Sequence, residues 1–149
     1  MGNKPVLLFA VSILVIILSS CGKTTEHAKA SEVVIDNNAS YFSDFTIEGE
    51  RVLFYCHLCI ENRTDSKVLI QISGDFSDDK KGNLIQEDNL LAYSSTTDSS
   101  VFELKPGTNK IDVCFIGTHG TASQKQDRNL PKLTIVCSGT GDAVSQNNG

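Results

Sequence analysis

The stretch Arg51–Glu61 (RVLFYCHLCIE) alternates between two sets of side chains with a period of two residues. One set is apolar and contains Val52, Phe54, Cys56, Leu58 and Ile60. The other set contains Leu53, Tyr55, His57, Cys59 and Glu61. A period of two in a segment rich in β-branched and aromatic residues predicts a β-strand with one face in the core.

Segments of the same character lie on both sides of this strand. A turn cluster, NRTDSK at 62–67, leads into Val68–Ser73, where Val68, Ile70 and Ile72 again alternate. Similar patterns predict strands at 102–105, 111–116 and 132–137, weaker ones at 34–36 and 45–48, and one or two within 84–93. A helical turn is the alternative for 84–93, and the acidic segment 75–83 is expected to be a hairpin loop. Seven to eight short strands separated by turns predict an all-β fold, a single antiparallel β-sandwich.

The run Leu104–Phe115 (LKPGTNKIDVCF) resembles a corner found in many bacterial immunoglobulin-like domains. In those domains a leucine, a Pro-Gly turn and an alternating strand occur in this order, just before the penultimate strand. The resemblance is confined to this run. It implies an immunoglobulin-like sandwich, which is a scaffold with no particular activity attached to it.

The amino terminus resembles the signal peptide of bacterial lipoproteins. Lys4 precedes an apolar run, Val6–Leu18, and Ser19-Ser20-Cys21 follows it. A spanning helix needs about 20 apolar residues, so a run of this length is typical of a removable export signal. In that family a peptidase cleaves before the cysteine, whose thiol carries a diacylglycerol. The resemblance therefore implies loss of residues 1–20, lipidation of Cys21 and anchoring on the extracytoplasmic face of the membrane. An uncleaved short anchor and ordinary cleavage without lipid are the alternatives.

Composition divides the remainder of the chain into three parts. Residues 21–31 contain Cys21 and a small, polar segment that predicts a flexible tether. Residues 32–137 are expected to form the sandwich, and residues 138–149 (SGTGDAVSQNNG) a disordered tail. Removing residues 1–20, with Lys4 as their only charged side chain, changes the formal net charge from −5 to −6. An acidic domain without a Lys/Arg cluster is a poor partner for nucleic acid.

The four cysteines beyond Cys21 have three interpretations, and the first of them, a redox pair, fails on distance. Cys56 and Cys59 have the spacing of a redox pair, but in a strand their Cα atoms lie about 10 Å apart, farther than a disulfide spans. The immunoglobulin-like resemblance places the strands of Cys59 and Cys114 side by side, which allows a cross-strand Cys59–Cys114 disulfide outside the cell. The alternative is that these cysteines and Cys137 are unpaired.

A metal or thiol site is a second interpretation of the same strand face. His57 and Cys59 lie two residues apart, and Asp112 and Cys114 are candidates to join them. Imidazole and thiolate ligands of this kind suit zinc. The set depends on one particular strand pairing, so the sequence predicts no metal or other cofactor apart from the lipid at Cys21.

Two loop residues are candidates for ligand contact. His119 lies in a glycine-bearing loop, GTHGTAS at 117–123, and Arg128 lies in the segment before the last strand, where an ion pair or turn hydrogen bonds are expected to hold that strand. A small hydrolase using His119 is an alternative, although neither a G-x-S-x-G nor an H-E-x-x-H motif is present. The sequence as a whole predicts a lipid-anchored, non-catalytic binding or accessory module for an envelope protein or an extracellular ligand.

Overall fold

The computed structural model describes residues 32–123, 128–137 and 143–145. Residues 1–31, to which the predicted signal segment, Cys21 and the predicted tether belong, lie outside the described residues. The described elements are β1 (Val33–Ile35), β2 (Tyr41–Glu48), β3 (Arg51–Asn62), β4 (Val68–Asp75), α1 (Ser77–Lys81), β5 (Asn89–Ser94), β6 (Phe102–Leu104), β7 (Gly107–Thr118), β8 (Lys132–Cys137) and β9 (Ala143–Ser145). Within these ranges no helix is long and apolar enough to cross a membrane.

The nine strands form one antiparallel sheet that folds over on itself. The strand order is β1-β3-β7-β5-β4-β8-β9, with β2 also paired to β3 and β6 to β4. Strand β5 pairs with β4 through Asn89–Leu91 and with β7 through Ala92–Ser94, so it passes from one half of the sheet to the other. Buried side chains from both halves form a single core. The predicted all-β sandwich is therefore confirmed.

The long pairing between β3 and β7 organises one half of the sheet. It runs through twelve residue pairs, from Arg51 opposite Thr118 to Asn62 opposite Gly107. Opposite residues in an antiparallel pair point to the same side. Phe54 and Phe115 therefore meet in the core, where neither is exposed, while Tyr55 and Cys114 share the outer side. The alternation predicted for Arg51–Glu61 is confirmed.

The chain crosses between the two halves at the predicted Pro-Gly corner. Strand β6 pairs with β4, whereas β7, which follows it closely, pairs with β3. Gly107 has a φ of +87°, a region that favours glycine. The side chain of Asn109 accepts a hydrogen bond from Lys105 N over 3.0 Å and donates one to Lys105 O over 2.8 Å. These features turn the chain sharply enough to enter the other half of the sheet.

Aromatic side chains fill one end of the core. The ring of Phe76, just before α1, lies 4.6 Å from that of Phe54 and 5.2 Å from that of Phe115. Phe45 of β2 lies 6.0 Å from Phe54. Tilted pairs at such separations add about 1 kcal/mol each beyond the burial of area. We call this the aromatic end of the sandwich.

The acidic segment and the tail each contain an element that the sequence did not predict. The acidic segment predicted as a hairpin loop contains the helix α1, Ser77–Lys81, which buries none of its residues. A helix without an apolar face produces no 3.6-residue period, so the pattern did not reveal it. The tail predicted to be disordered contains β9, in which Val144 pairs with Ile135 of β8. Residues 138–142 and 146–149 lie outside the described residues, and the disordered tail stays a prediction.

Candidate functional site

The outer side of the half-sheet formed by β2, β3, β7 and β5 carries all three tyrosines of the chain, Tyr41, Tyr55 and Tyr93. We call this surface the tyrosine face. Tyr55 and Tyr93 lie in one row, on either side of Cys114, because β7 pairs with both β3 and β5. Tyr41 is 55 % exposed and Ile116, in the next row, is 37 % exposed. Among the described residues this face is therefore open to solvent and rich in aromatic side chains.

A polar pair interrupts the apolar surface of the tyrosine face. Nδ1–H of His57 donates to Oδ1 of Asp112 over 2.8 Å, since the two residues are directly opposite each other in β3 and β7. The ring of Tyr41 stacks on that of His57 at 5.2 Å between centroids. These contacts fix both rings in place, so the face presents an ordered aromatic surface.

The register between β3 and β7 rules out the predicted disulfide. The two strands are neighbours, as expected, but Cys59 lies opposite Lys110 and Cys114 opposite Tyr55. An offset of four residues separates the two cysteines by about 13 Å along the strands, well beyond the about 7 Å that a bridge spans. Cys56, Cys59, Cys114 and Cys137 are all buried free thiols. The predicted Cys59–Cys114 bridge is therefore wrong, and the alternative of unpaired cysteines agrees with the structure.

The same register divides the four residues considered for a metal or thiol site. His57 and Asp112 meet, but Cys59 faces a lysine and Cys114 lies between two tyrosines. Among the described residues no group of three or more His, Cys, Asp or Glu side chains is placed to hold a metal ion. Burial, reinforced by the carboxylates of Glu48 and Asp98, raises the pKa of the Cys114 thiol to about 11. Metal binding and nucleophilic attack both require the thiolate, which this environment disfavours.

Alkaline pH should weaken the fold through Cys56, which lies in the core. Burial raises the pKa of its thiol from 9.0 to about 12. The unfolded chain therefore loses this proton above pH 9 while the folded chain keeps it, so stability is complete below pH 9 and falls as pH rises toward 12. At about 1.4 kcal/mol for each pKa unit, Cys56 accounts for a loss of at most about 4 kcal/mol. Urea unfolding of the protein and of Cys56→Ala, at several pH values from 8 to 11, measures the difference.

The control for this experiment is Ile60→Val, which removes a methylene group from the same face of β3 without removing a titrating group. Cys56→Ala should lower stability at pH 8 but flatten its decline above pH 9. Ile60→Val should lower stability equally at every pH. If Cys56→Ala declines as steeply as the parent protein, the thiol is not the source of the alkaline sensitivity.

The structure places Arg128 inside the aromatic end, not on an exposed loop. Its guanidinium lies 4.9 Å above the ring of Phe45 and 5.5 Å above that of Phe54, and it forms an ion pair with Asp79 of α1. The two charged side chains are 14 % and 15 % exposed. Burial lowers the pKa of Arg128. The expected ion pair before the last strand is present, and it joins that segment to the helix.

Clefts of about 370 and 350 Å³ lie on the two sides of this ion pair. The first is lined by Phe42 and the carboxylates of Asp75 and Asp78, and the second by the loop of Thr121–Ser123. The guanidinium between them is already engaged by Asp79 and by two aromatic rings. Arg128 therefore holds this end together, but its Nε is buried without a hydrogen-bond partner among the described residues, and contact of Arg128 with a ligand stays a prediction.

His119 is also held by the loop that contains it. Its main-chain N–H donates to Glu50 O over 2.8 Å, and its ring Nε2 lies 3.0 Å from the carbonyl oxygen of Ala122. The carbonyl of His119 accepts a hydrogen bond from the side chain of Gln86. In the described part of the chain the ring nitrogen Nε2 is thus bonded to a backbone oxygen, and a hydrolase that uses His119 stays a prediction.

Sequence reasoning missed the tyrosine face. Tyr55 was placed on the outer side of its strand, but nothing in the sequence aligned it with Tyr41 or Tyr93. A usable signal was present: the chain contains three tyrosines and no tryptophan, and two of these tyrosines lie in strands of alternating pattern. Strand pairing was needed to show that they share a surface.

Comparison of the chain with protein-family models, with curated proteins and with solved structures finds no match.

Proposed function

We propose that this protein is a lipid-anchored binding module on the extracytoplasmic side of the cell membrane, with the tyrosine face as its contact surface. The lipid is carried by Cys21, and residues 21–31 form the tether between the lipid and the sandwich. The partner is another envelope protein or an extracellular ligand. The acidic balance of the chain argues against nucleic acid as that partner.

The observation that carries the proposal is the position of all three tyrosines on one open face. Tyrosine combines a large apolar ring with a hydroxyl group and few rotatable bonds, so it contributes strongly to binding at little entropic cost. It is enriched at protein interfaces and among the residues that dominate binding energy. Leu91 and Ile116, each 37 % exposed, extend the apolar area beside Tyr93 and Tyr55.

The opposite half of the sheet supplies a comparison. Its outer side exposes Leu69 of β4, at 46 %, flanked by polar residues such as Gln71 and Glu103. Val101, just before β6, is also exposed, at 40 %, but among the described residues this side carries no aromatic ring, and isolated aliphatic side chains are normal for a protein surface. In the part of the chain that the structure describes, the tyrosine face therefore carries aromatic rings, which favour binding, and the outer side of the opposite half carries none.

Photo-cross-linking on intact cells tests this proposal. A photoreactive amino acid placed at Ile116, in the row next to Tyr55 and Tyr93, should give one dominant adduct in the cells that naturally make the protein. The same amino acid at Leu69 is the matched control and should give none. Combining the Ile116 probe with Tyr41→Ala and Tyr93→Ala should reduce the adduct about ten-fold or more, because each lost contact is worth at least about 1 kcal/mol.

The anchor is tested separately in the same cells. Cys21→Ala should move the protein from the membrane fraction to the soluble fraction and weaken the adduct, because the tether no longer concentrates the protein near its partner. Equal adducts from Ile116 and Leu69 would contradict the role of the tyrosine face. A Cys21→Ala protein that stays in the membrane would contradict the lipid anchor while leaving the face untouched.

A further inference from the structure

The spacing of the tyrosine face suits an extended polypeptide. Tyr55 and Tyr93 are separated by the single strand β7, which carries Cys114 between them. Adjacent strands are about 4.8 Å apart, so the two tyrosines lie about 10 Å apart across the sheet. A polyproline II chain, which is also extended, has three residues per turn and advances about 3.1 Å per residue, so side chains three residues apart point the same way and lie about 9 Å apart.

The charges around the tyrosines are predominantly negative. Asp44 and Glu48 of β2, Asp112 of β7 and Asp98 of the turn after β5 surround the face. Arg51 and Lys110 are the basic residues on the same side of β3 and β7, and Arg51 lies 4.0 Å from Glu48. The potential reaches the centre of the face, since Glu48 and Asp98 both raise the pKa of the Cys114 thiol after the larger effect of burial. Carboxylates around aromatic rings make a surface complementary to cations.

We propose that the tyrosine face binds a cationic, arginine-rich segment of a partner protein in extended conformation. This inference rests on the proposed function and names the chemistry of its partner. Arginine fits better than lysine because its planar guanidinium stacks on an aromatic ring while donating hydrogen bonds to carboxylates. The same molecule contains such an arrangement at Arg128, whose guanidinium lies over Phe45 and pairs with Asp79.

The absence of tryptophan makes this surface directly observable. All three tyrosines lie on the proposed site, so the intrinsic tyrosine fluorescence of the chain reports on it. The purified full chain in a neutral detergent should show a saturable fluorescence change with octa-arginine, a weaker one with octa-lysine, and none with octa-glutamate. Anisotropy of a dye-labelled octa-arginine measures the affinity independently of the tyrosine signal.

Variants distinguish a defined site from general attraction to an acidic protein. Tyr41→Ala and Tyr93→Ala should each weaken octa-arginine binding about ten-fold. Asp98→Asn should weaken it about two- to five-fold. Asn tolerates the positive φ of 52° at this position, so the turn is retained. Glu103→Gln removes the same charge from the opposite half of the sheet, where Glu103 pairs with Lys67, and should leave the affinity unchanged.

Three results would overturn the inference. Equal weakening by Asp98→Asn and Glu103→Gln would show non-specific attraction, and unchanged affinity in both tyrosine variants would place the peptide elsewhere. A fluorescence response to a neutral oligosaccharide such as chitohexaose, with none to octa-arginine, would assign the face to a different class of ligand. In that last case a persistent cross-link from Ile116 would leave the proposed binding function intact, so the two proposals fail separately.

Discussion

Replacing Arg128 with methionine is expected to lower the free energy of unfolding by about 2–4 kcal/mol. The substitution leaves the carboxylate of Asp79, only 15 % exposed, without its partner at the aromatic end of the core. Removing one member of a buried ion pair costs about 3–5 kcal/mol, and the small remaining access to water reduces that value here. The contacts of the guanidinium with Phe45 and Phe54 are lost as well. Urea unfolding followed by far-ultraviolet circular dichroism measures the change.

The neighbouring turn of the same helix offers a matched control. Lys81 pairs with Asp78 over 3.0 Å, but these side chains are 75 % and 94 % exposed, so Lys81→Met should leave stability unchanged within error. The double variant Arg128→Met with Asp79→Leu should recover most of the loss, because no buried charge then remains unpaired. If Arg128→Met is as harmless as Lys81→Met, or if the double variant is the least stable, the ion pair does not hold this end of the sandwich.

A similarly large effect is expected at Gly120. A Cβ atom there would overlap the carbonyl oxygen of Asn83 and approach its carbonyl carbon to 2.8 Å. These are backbone atoms held by hydrogen bonds from Gly120 N to Leu84 O and from Thr121 N to Asn83 O, so they cannot move aside without breaking those bonds. Gly120→Ala should therefore cost about 2–3 kcal/mol or more, the upper part of the range for steric overpacking. The midpoint of urea unfolding measures this loss.

Gly82→Ala is the control for this substitution. Its φ is −76°, and the nearest atom to an added Cβ would be 3.4 Å away, an ordinary contact. This variant should be as stable as the parent protein, or slightly more stable because alanine reduces the entropy of the unfolded chain. Equal stability of Gly120→Ala and Gly82→Ala would contradict the close approach of the two loops.

Below its unfolding transition, Arg128→Met should still bind through the tyrosine face, which separates stability at the aromatic end from recognition on the sheet.

The β-strands could be predicted because the alternation of side chains that identifies them arises within each segment. In Arg51–Glu61 the side chains that face the core follow one another at every second position, and this order is set by the geometry of an extended chain. The structure lengthens that strand by one residue and β2 by four at its start, since pairing to a neighbour supports positions that have no pattern of their own. Strand β9, whose segment was not predicted as a strand, has three residues that pair with the edge of β8.

The candidate site was less predictable because it depends on register. The sequence put His57, Cys59, Asp112 and Cys114 on outer faces, but it could not decide which of them are opposite one another. The observed register joins His57 to Asp112 and separates Cys59 from Cys114 by four positions. A shift of two residues in one strand would have kept every inward and outward assignment and changed all of these partners.

The sequence alone determined the fold class, the inward and outward sides of the main strands, and the Pro-Gly corner between the two halves. All of these follow from interactions within a few residues of each other. The tertiary structure alone decided that three tyrosines from three strands form one face and that Arg128 is buried over Phe45 beside Asp79. Those contacts join residues dozens of positions apart, and they arise from strand pairing and core packing, whose geometry no local pattern records.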